Sequence, residues 1–557
     1  MNYPKITIIF LIFHFIILGI KAEDNPGANF YNFENPADYK NFDLIRLGSK
    51  PAAEIKNGYL SLVQGGLRKN HKNIAVFPDK IKANSNLVTL HTKFLITPGA
   101  EGFSLIFLNS RFYQQDSLLH KPENWHLPKI ADTFAITFDI NNPPTSRWFG
   151  KDGNFYNRPQ REVALFFDET EVKRKVAPIE FRTDPASDWN TRNLYLKVNE
   201  VAGGSEITLK IDETIVFSKY LIPELFSYDF YPVIAAQTAE RTTTVSIDDF
   251  KIEAEKGEDY NPVPASITLV DSQLVYMETR DTEHCAEFPK DSSEYAKALL
   301  TLKLEEPPGG YDPWDKGGAV YLFADSVRYE ICRFITPYNR GFVWKDDVTD
   351  FLPLLTGKRK IKLHVDTWME KADSLKNQKG WYITAKIDLY EGKLSEKPFL
   401  IKNMWNGYFE YGNPKDPMTN HLLPLSFSIP KNTHKIKLRF MVTGHGMSPN
   451  TKNAAEFMPT NRTVWVNDNS YENKLWKTDC YLNPCRPQDG TWKFDRAGWA
   501  PGSVVEPWEI VIDKEEFAGK DSLEIHYLPE AYRNLSKGEH HKAHHKFESQ
   551  IIFFDRD

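Results

Sequence analysis

The sequence predicts an all-β protein built from antiparallel sandwiches in series. Three observations lead there. Aromatic residues make up 13% of the 557 residues, and 35 prolines accompany 30 glycines, a mixture that favours strands and tight turns. Short runs alternate apolar and polar residues with a period of two. Glycine- or asparagine-rich clusters such as FGKDGN (149–154) and VAGGSE (201–206) separate those runs. The length allows three domains of ordinary size. A net charge of −6 implies no polyanion-binding surface, so nucleic acid is not expected as a partner.

Taken in order, residues 1–22 read as a signal peptide. Lys5 supplies the positive start, Ile6 to Ile20 is nearly all apolar, and Ala22 offers a small residue for cleavage before Glu23. The apolar run is slightly short for a membrane anchor. The mature chain is therefore expected to be secreted, with no membrane contact after cleavage. A first domain is placed at 24–256. In TFAITFDI (133–140), Phe134, Ile136, Phe138 and Ile140 share one face, and EVALFFD (162–168), EITLKID (206–212) and TTTVSIDDFKI (242–252) read similarly. KGEDYNPVP (256–264) is charged at its start and proline-restricted at its end, and places a linker at 257–264. A second strand-rich unit spans 265–400 and a third 401–557. In KIKLRFMV (435–442), Ile436, Leu438, Phe440 and Val442 alternate with Lys435, Lys437, Arg439 and Met441. GYFEYGNPKDPMTNH (407–421) has turn residues and no sustained period, and reads as a crossing loop.

Four cysteines are too few for a disulfide scaffold. CYLNPC (480–485) could close a small disulfide loop, whereas Cys332 sits in an apolar run as a buried thiol would. Asn461-Arg-Thr463 and Asn534-Leu-Ser536 are glycosylation sequons. The histidines of GEHHKAHHK (538–546) have no carboxylate in ligand spacing beyond Glu539 and read as adventitious or solvated rather than as a metal site.

Chemistry concentrates in YDPWDKGG (311–318), ICRFITPY (331–338) and GTWKFDRAGWAPG (490–502). Trp314 and Trp499 offer flat faces for a sugar ring. Asp312, Asp315 and Asp495 can accept hydroxyl hydrogen bonds or a proton, and Arg496 can hold a carbonyl or carboxylate. In IKLHVDTW (361–368), Ile361, Leu363 and Val365 face one way and Lys362, His364 and Asp366 the other, with Trp368 just beyond. Glu456, in AAEFM (454–458), lies either on an exposed strand face or in a desolvated site.

These pieces resemble the peptide N-glycosidase F family, amidases that remove whole N-linked glycans from asparagine. DPWD (312–315), RFITPY (333–338), DVTDFLPLLTGK (347–358), DTW (366–368), TGHG (443–446), AAEF (454–457), LNP (482–484) and DRAGW (495–499) occur in family order from about 265 to the C-terminus. The resemblance implies two adjacent eight-stranded jelly rolls with the active site at their seam. It implies Asp315 as the essential acid, Glu456 and Asp366 as its carboxylate partners, and Trp314, Lys316, Trp368, His445, Asp495, Arg496 and Trp499 as substrate-binding residues. Asp366 stands where the family has glutamate, so its reach is shorter by about 1.5 Å. Lys316 replaces an arginine and loses a bidentate fork. The scheme needs no cofactor and no metal, and its partners are N-linked glycoproteins and glycopeptides.

The first domain resembles a concanavalin-type, L-type-lectin sandwich through AEGFSLIFL (100–108), DTFAITFDI (132–140) and VSIDDFKI (245–252). Glu101 and Asp139 fall on that family's sugar-site positions. The rival readings are a catalytically silent glycan-binding or adhesion protein that keeps the fold and, last, a copper monooxygenase, for which histidine and methionine ligands are not suitably spaced.

Overall fold

The computed structural model describes residues 28–65, 70–99, 101–112, 128–140, 147–149, 155–157, 161–183, 191–238, 242–448, 451–535 and 542–556. The expected signal peptide, Ser536 of the second sequon, and His540 and His541 lie outside them.

Two large antiparallel sheets form the first domain. One orders the strands Thr214–Pro223, Gly204–Ile211, Arg192–Val201, Leu87–Ile96, Val245–Glu255, Tyr59–Val63 and Glu54–Lys56, with Ala28–Tyr31 also paired to Val245–Glu255. The other runs Thr170–Val176, Glu162–Phe167, Phe134–Asp139, Gly102–Asn109, Phe230–Gln237, Lys72–Val76 and Asp43–Arg46. The period-two pattern explains their packing: Phe134, Ile136 and Phe138 point into the core between the sheets, beside Phe94 and Phe103. Ala135 on the opposite face is buried as well, in a second apolar cluster with Ile106, Ala164 and Val233.

Residues 256–264 form no regular element. Beyond them stand two further sandwiches. The first pairs a four-stranded sheet (Ala265–Val275, Trp381–Glu391, Tyr295–Glu305, Phe342–Asp347) with a second one made of Asp281–Glu287, Lys358–Val365, Gly317–Ala324 and Val327–Ile335. The two-residue strand Ser503–Val504, from far along the chain, completes the second sheet by pairing with Phe334 and Ile335. The last sandwich joins Glu396–Glu410, His544–Arg556, Lys435–His445 and Trp508–Asp513 to Leu425–Ser428, Ser522–Pro529, Thr460–Val466 and Asn469–Leu475. Each of these last two units contributes four strands to each of its sheets.

One boundary moves. Glu396–Glu410 pairs along its length with His544–Arg556 of the last sandwich, so that sandwich begins at residue 396, and Gly407–Glu410 is strand rather than crossing loop. The ladder shifts register between Pro398 and Leu400 and between Asn403 and Asn406, and each shift resets the apolar alternation. The two rolls also share a core. Ile401, Ile552 and Phe554 of the last sandwich pack among Leu302, Leu352 and Ile387 of the one before it.

All four cysteines are free thiols. The expected Cys480–Cys485 disulfide is absent because the two sulfurs serve different neighbours. Cys480 Sγ points at the carbonyls of Lys477 (3.7 Å) and Trp499 (3.5 Å). The Cys485 sulfur lies beside Gly502. The loop is closed instead by Asn483, which donates to Pro501 O (2.7 Å) and accepts from Cys485 N (2.9 Å).

Candidate active site

Three segments meet at the seam between the two rolls. The first is the DPWDKGG turn, which leads into the strand Gly317–Ala324. Asp312 is fully buried and builds this turn, accepting from Trp314 N (2.9 Å) and from Thr367 Oγ1 (2.8 Å). It is therefore a scaffold for the site and not open to a sugar. Thr336 fixes the other side, accepting from Lys316 N (2.8 Å) and donating to Trp314 O (3.3 Å). Gly318 is required here by a close approach, because a Cβ would lie 2.2 Å from the Phe334 ring.

The second segment is the turn around Glu456 and the third is DRAGW. Ala497 N donates to Glu456 O (2.9 Å), Gly444 N to Ala497 O (3.0 Å), and Glu456 N to Gly446 O (3.1 Å). This backbone mesh closes only because residue 444 has no side chain: a Cβ would sit 2.7 Å from Ala455 O and 2.8 Å from Ala497 Cβ. Glu456 is thus on a turn and mostly buried, which settles the two readings of AAEFM in favour of the desolvated one.

Arg496 joins the segments. Its guanidinium is fully buried, with Nε 3.3 Å from Glu456 Oε1 and Nη2 3.8 Å from Asp315 Oδ2. The remaining donors go to Thr491 O (2.9 Å), Phe494 O (3.2 Å) and Thr491 Oγ1 (2.7 Å). The Phe457 and Trp499 rings cover it at 5.0 and 4.8 Å. Burial pushes the Asp315 carboxyl above its ordinary value, against the opposing pull of Arg496 and a hydrogen bond from Tyr338. Burial also raises Glu456, again opposed by Arg496, while the neighbouring Asp315 charge adds to the rise. A buried arginine between two partly desolvated carboxylates can hold one of them ionised as a base while the other binds or shares a proton.

Asp366 is exposed, one residue beyond the strand Lys358–Val365, and its N–H donates to Gly317 O (2.9 Å). Its charge acts on Lys316, Tyr408 and Lys546. Trp314 and Trp368 are 54% and 63% exposed, so both present ring surface to solvent at the site.

Several expected contacts change role. Lys316 is buried with its ammonium 3.0 Å from the centre of the Trp368 ring, so it braces that ring instead of reaching out to a ligand. Trp499 is buried beneath Arg496, donates to Gly444 O (2.8 Å) and stacks on His445 at 5.5 Å, which leaves no open face for a sugar. Asp495 is buried within reach of Cys480. His445 bonds Thr443 Oγ1 (2.8 Å), and burial with the Lys546 and Arg333 charges pushes its imidazole down to about 3, so it is neutral. In the sandwich, the Asp139 carboxylate lies 3.5 Å from the buried Arg174 guanidinium, which commits it to an ion pair rather than a sugar. Glu101 adopts φ +67° and its carboxyl is raised by burial.

The site also holds residues that the sequence left unmarked. The Tyr338 hydroxyl lies 3.1 Å from Thr491 Oγ1 and reaches Asp315. Tyr408 stacks on His544 at 4.5 Å, and partial burial with the charges of Asp366 and Glu456 pushes its phenol up to about 12. Tyr338 was visible in RFITPY. Tyr408 sits in the stretch read as a loop and carried no signal.

Residues 413–549 match the family model for the C-terminal part of peptide-N-glycosidase F. That stretch of the chain is similar to the peptide-N-glycosidase F family. The amidase F of Elizabethkingia miricola, a peptide-N(4)-(N-acetyl-beta-D-glucosaminyl)asparagine amidase, is 27% identical over 319 residues, covering 54% of this chain and 87% of that protein. Among solved structures, PNGase F, a glycosylasparaginase from Flavobacterium meningosepticum, aligns at 23% identity and a TM-score of 0.44, over 54% of this chain and 97% of that one. The lectin UEA-II in complex with galactose aligns with 41% of this chain and 98% of its own, at 10% identity and a TM-score of 0.30. Of the seam site, Glu456 and Arg496 fall within the matched residues 413–549, whereas Asp315, Asp366 and the two exposed tryptophans precede them.

Proposed function

We propose that this protein is an exported peptide-N4-(N-acetyl-β-glucosaminyl)asparagine amidase. It hydrolyses the amide that joins asparagine to an N-glycan, releases the intact glycan and leaves aspartate. The observation that carries the reading is Arg496 held between Asp315 and Glu456, next to two exposed tryptophans. In the reaction Asp315 takes a proton from water, whose oxygen attacks the amide carbon. The carbon–nitrogen bond breaks, and the nitrogen leaves with the sugar after gaining a proton. The raised Asp315 carboxyl is a stronger base than an ordinary one. Arg496 keeps it ionised and offsets the charge that develops nearby. Glu456 and Asp366 orient the amide and first sugar, and Trp314 and Trp368 pack against sugar or peptide.

The leader-like residues 1–22 motivate export, and N-terminal sequencing of protein from the medium tests it: a start near Glu23 is expected. The amidase reading is tested with a denatured N-glycoprotein in heavy-oxygen water. Mass spectrometry should find labelled aspartate at the former glycan site and the whole glycan free. A single sugar left on asparagine would mean an endoglycosidase. Intact glycopeptide that remains bound would favour the silent glycan-binding reading.

A further inference from the structure

The segment from Trp476 to Gly502 carries Arg496 yet contains no strand, only the short turn Cys480–Leu482. Irregular backbone has no ladder to hold it, so other contacts must. Some are internal: Lys477 N donates to Arg496 O (2.7 Å) and Arg496 N to Lys477 O (3.2 Å). Others come from the N-terminal sandwich. Arg486 Nη2 lies 2.6 and 2.7 Å from the two carboxylate oxygens of Glu171, a residue 315 positions earlier, and both side chains are about 15% exposed. Glu171 is in turn gripped by Arg174 (2.9 Å), whose guanidinium also reaches Glu162 (3.1 Å) and Asp139 (3.5 Å). Arg486 itself donates to Leu482 O (2.9 Å) and Asn483 O (3.0 Å), so it ties the loop backbone to the sandwich. A second link runs from Lys173 to Glu506 (2.9 Å) and on to Lys477 (3.7 Å), whose backbone pairs with that of Arg496.

We propose that the sandwich is a clamp on the active-site loop, with Glu171 and Arg486 as positioning residues that set Arg496 against Asp315 and Glu456. The acidic cluster of Asp139, Glu162 and Glu171 then serves guanidinium ions of the protein itself, and the domain acts on the chemistry rather than on glycan capture. The kinetic part of this proposal rests on the amidase reading; the structural part does not.

The test uses the full chain and the variants Glu171→Gln, Arg486→Gln, their combination and Arg486→Lys. A short glycopeptide serves as substrate, with turnover measured beside amide hydrogen exchange over 477–502. Misplacement of a catalytic group is expected to lower kcat by about 10- to 100-fold with KM unchanged. The double variant should be no worse than either single one, and Arg486→Lys should recover part of the loss. Exchange should quicken over 477–502 and stay the same in Ser522–Pro529. A rise in KM alone, with exchange unchanged, would overturn the clamp in favour of a glycan-capturing domain. Unchanged kcat and exchange in both single variants would also overturn it. Should the wild type release no glycan, the amidase reading falls, and the exchange data alone decide the clamp: quicker exchange upholds it and unchanged exchange removes it.

Discussion

Arg496 directs its donors to Glu456, Thr491 and Phe494 and stands 3.8 Å from the Asp315 carboxylate, so the site depends on where one guanidinium is held. The carboxyl beside it should trade stability for activity. Asp315 is raised by burial, and a carboxyl raised in the fold stabilises only while protonated; once ionised it costs stability. Asp315→Asn should therefore reduce turnover by about 10²–10⁴-fold. Its melting temperature should equal or exceed wild type at neutral pH, with the gain absent below the ordinary aspartate value of about 3.9. Thermal melts at both pH values, run beside kinetics, check the pair of outcomes; normal turnover would remove Asp315 from its role. Tyr408 is more than half exposed within the fields of Asp366 and Glu456, so Tyr408→Phe, which removes a hydroxyl that substrate can reach, should cut kcat/KM by up to about 10-fold, the scale of one hydrogen bond, with an unchanged melting temperature. An unaltered kcat/KM would exclude its hydroxyl from the site. Asp315, Glu456 and Arg496 were legible in the sequence because turn residues and family order mark them. The buried roles of Lys316, Trp499 and Asp495 were not, since residue type does not reveal which way a side chain turns.

Strands with unbroken alternation could be read directly. Ile361, Leu363 and Val365 are buried as the pattern requires, and so are Ile436, Leu438 and Phe440. Glu396–Glu410 escaped notice because its two register shifts scramble the apolar period. Met441 shows a second limit: it lies on the face opposite Phe440 but is buried too, against Ile335, Trp499 and Val505, because the other roll covers it. A pattern within one strand cannot announce a neighbour contributed by another domain. The close approach at Gly444, near the end of the strand Lys435–His445, gives the prediction at this scale. Gly444→Ala would push its methyl into Ala455 O and Ala497 Cβ, and so part the segments that carry Glu456 and Arg496. Denaturation should show a loss of about 1–3 kcal/mol, and turnover should fall further than the folded fraction does. Equal losses in both would mean that the mesh only stabilises.

The two rolls are joined by buried charge as well as by apolar packing. Arg333 of the first roll donates to Met441 O (3.2 Å), Thr443 Oγ1 (3.1 Å) and Lys546 O (2.9 Å) of the second, while also pairing with Glu330. Glu548 lies in the same layer, and burial with the nearby Glu330 charge pushes it up to about 7. Its stabilising effect is full below the ordinary glutamate value and is lost as pH rises through about 7. Glu548→Gln should thus gain on the order of 1–3 kcal/mol over wild type at about pH 8 and little at about pH 4. Urea midpoints at the two pH values check this, and parallel curves would refute it. The strand Ser503–Val504 has a consequence for how the protein is made. It covers an edge of the sheet that ends in Val327–Ile335, yet it leaves the ribosome long after that sheet does. Until then the nascent first roll shows a raw, sticky border, the kind that recruits strands from other polypeptides. Translation that stalls before residue 503 should leave a product that clumps, whereas a chain released at its natural end should stay monodisperse. The hazard is therefore one of timing, built into the order in which the gene is read.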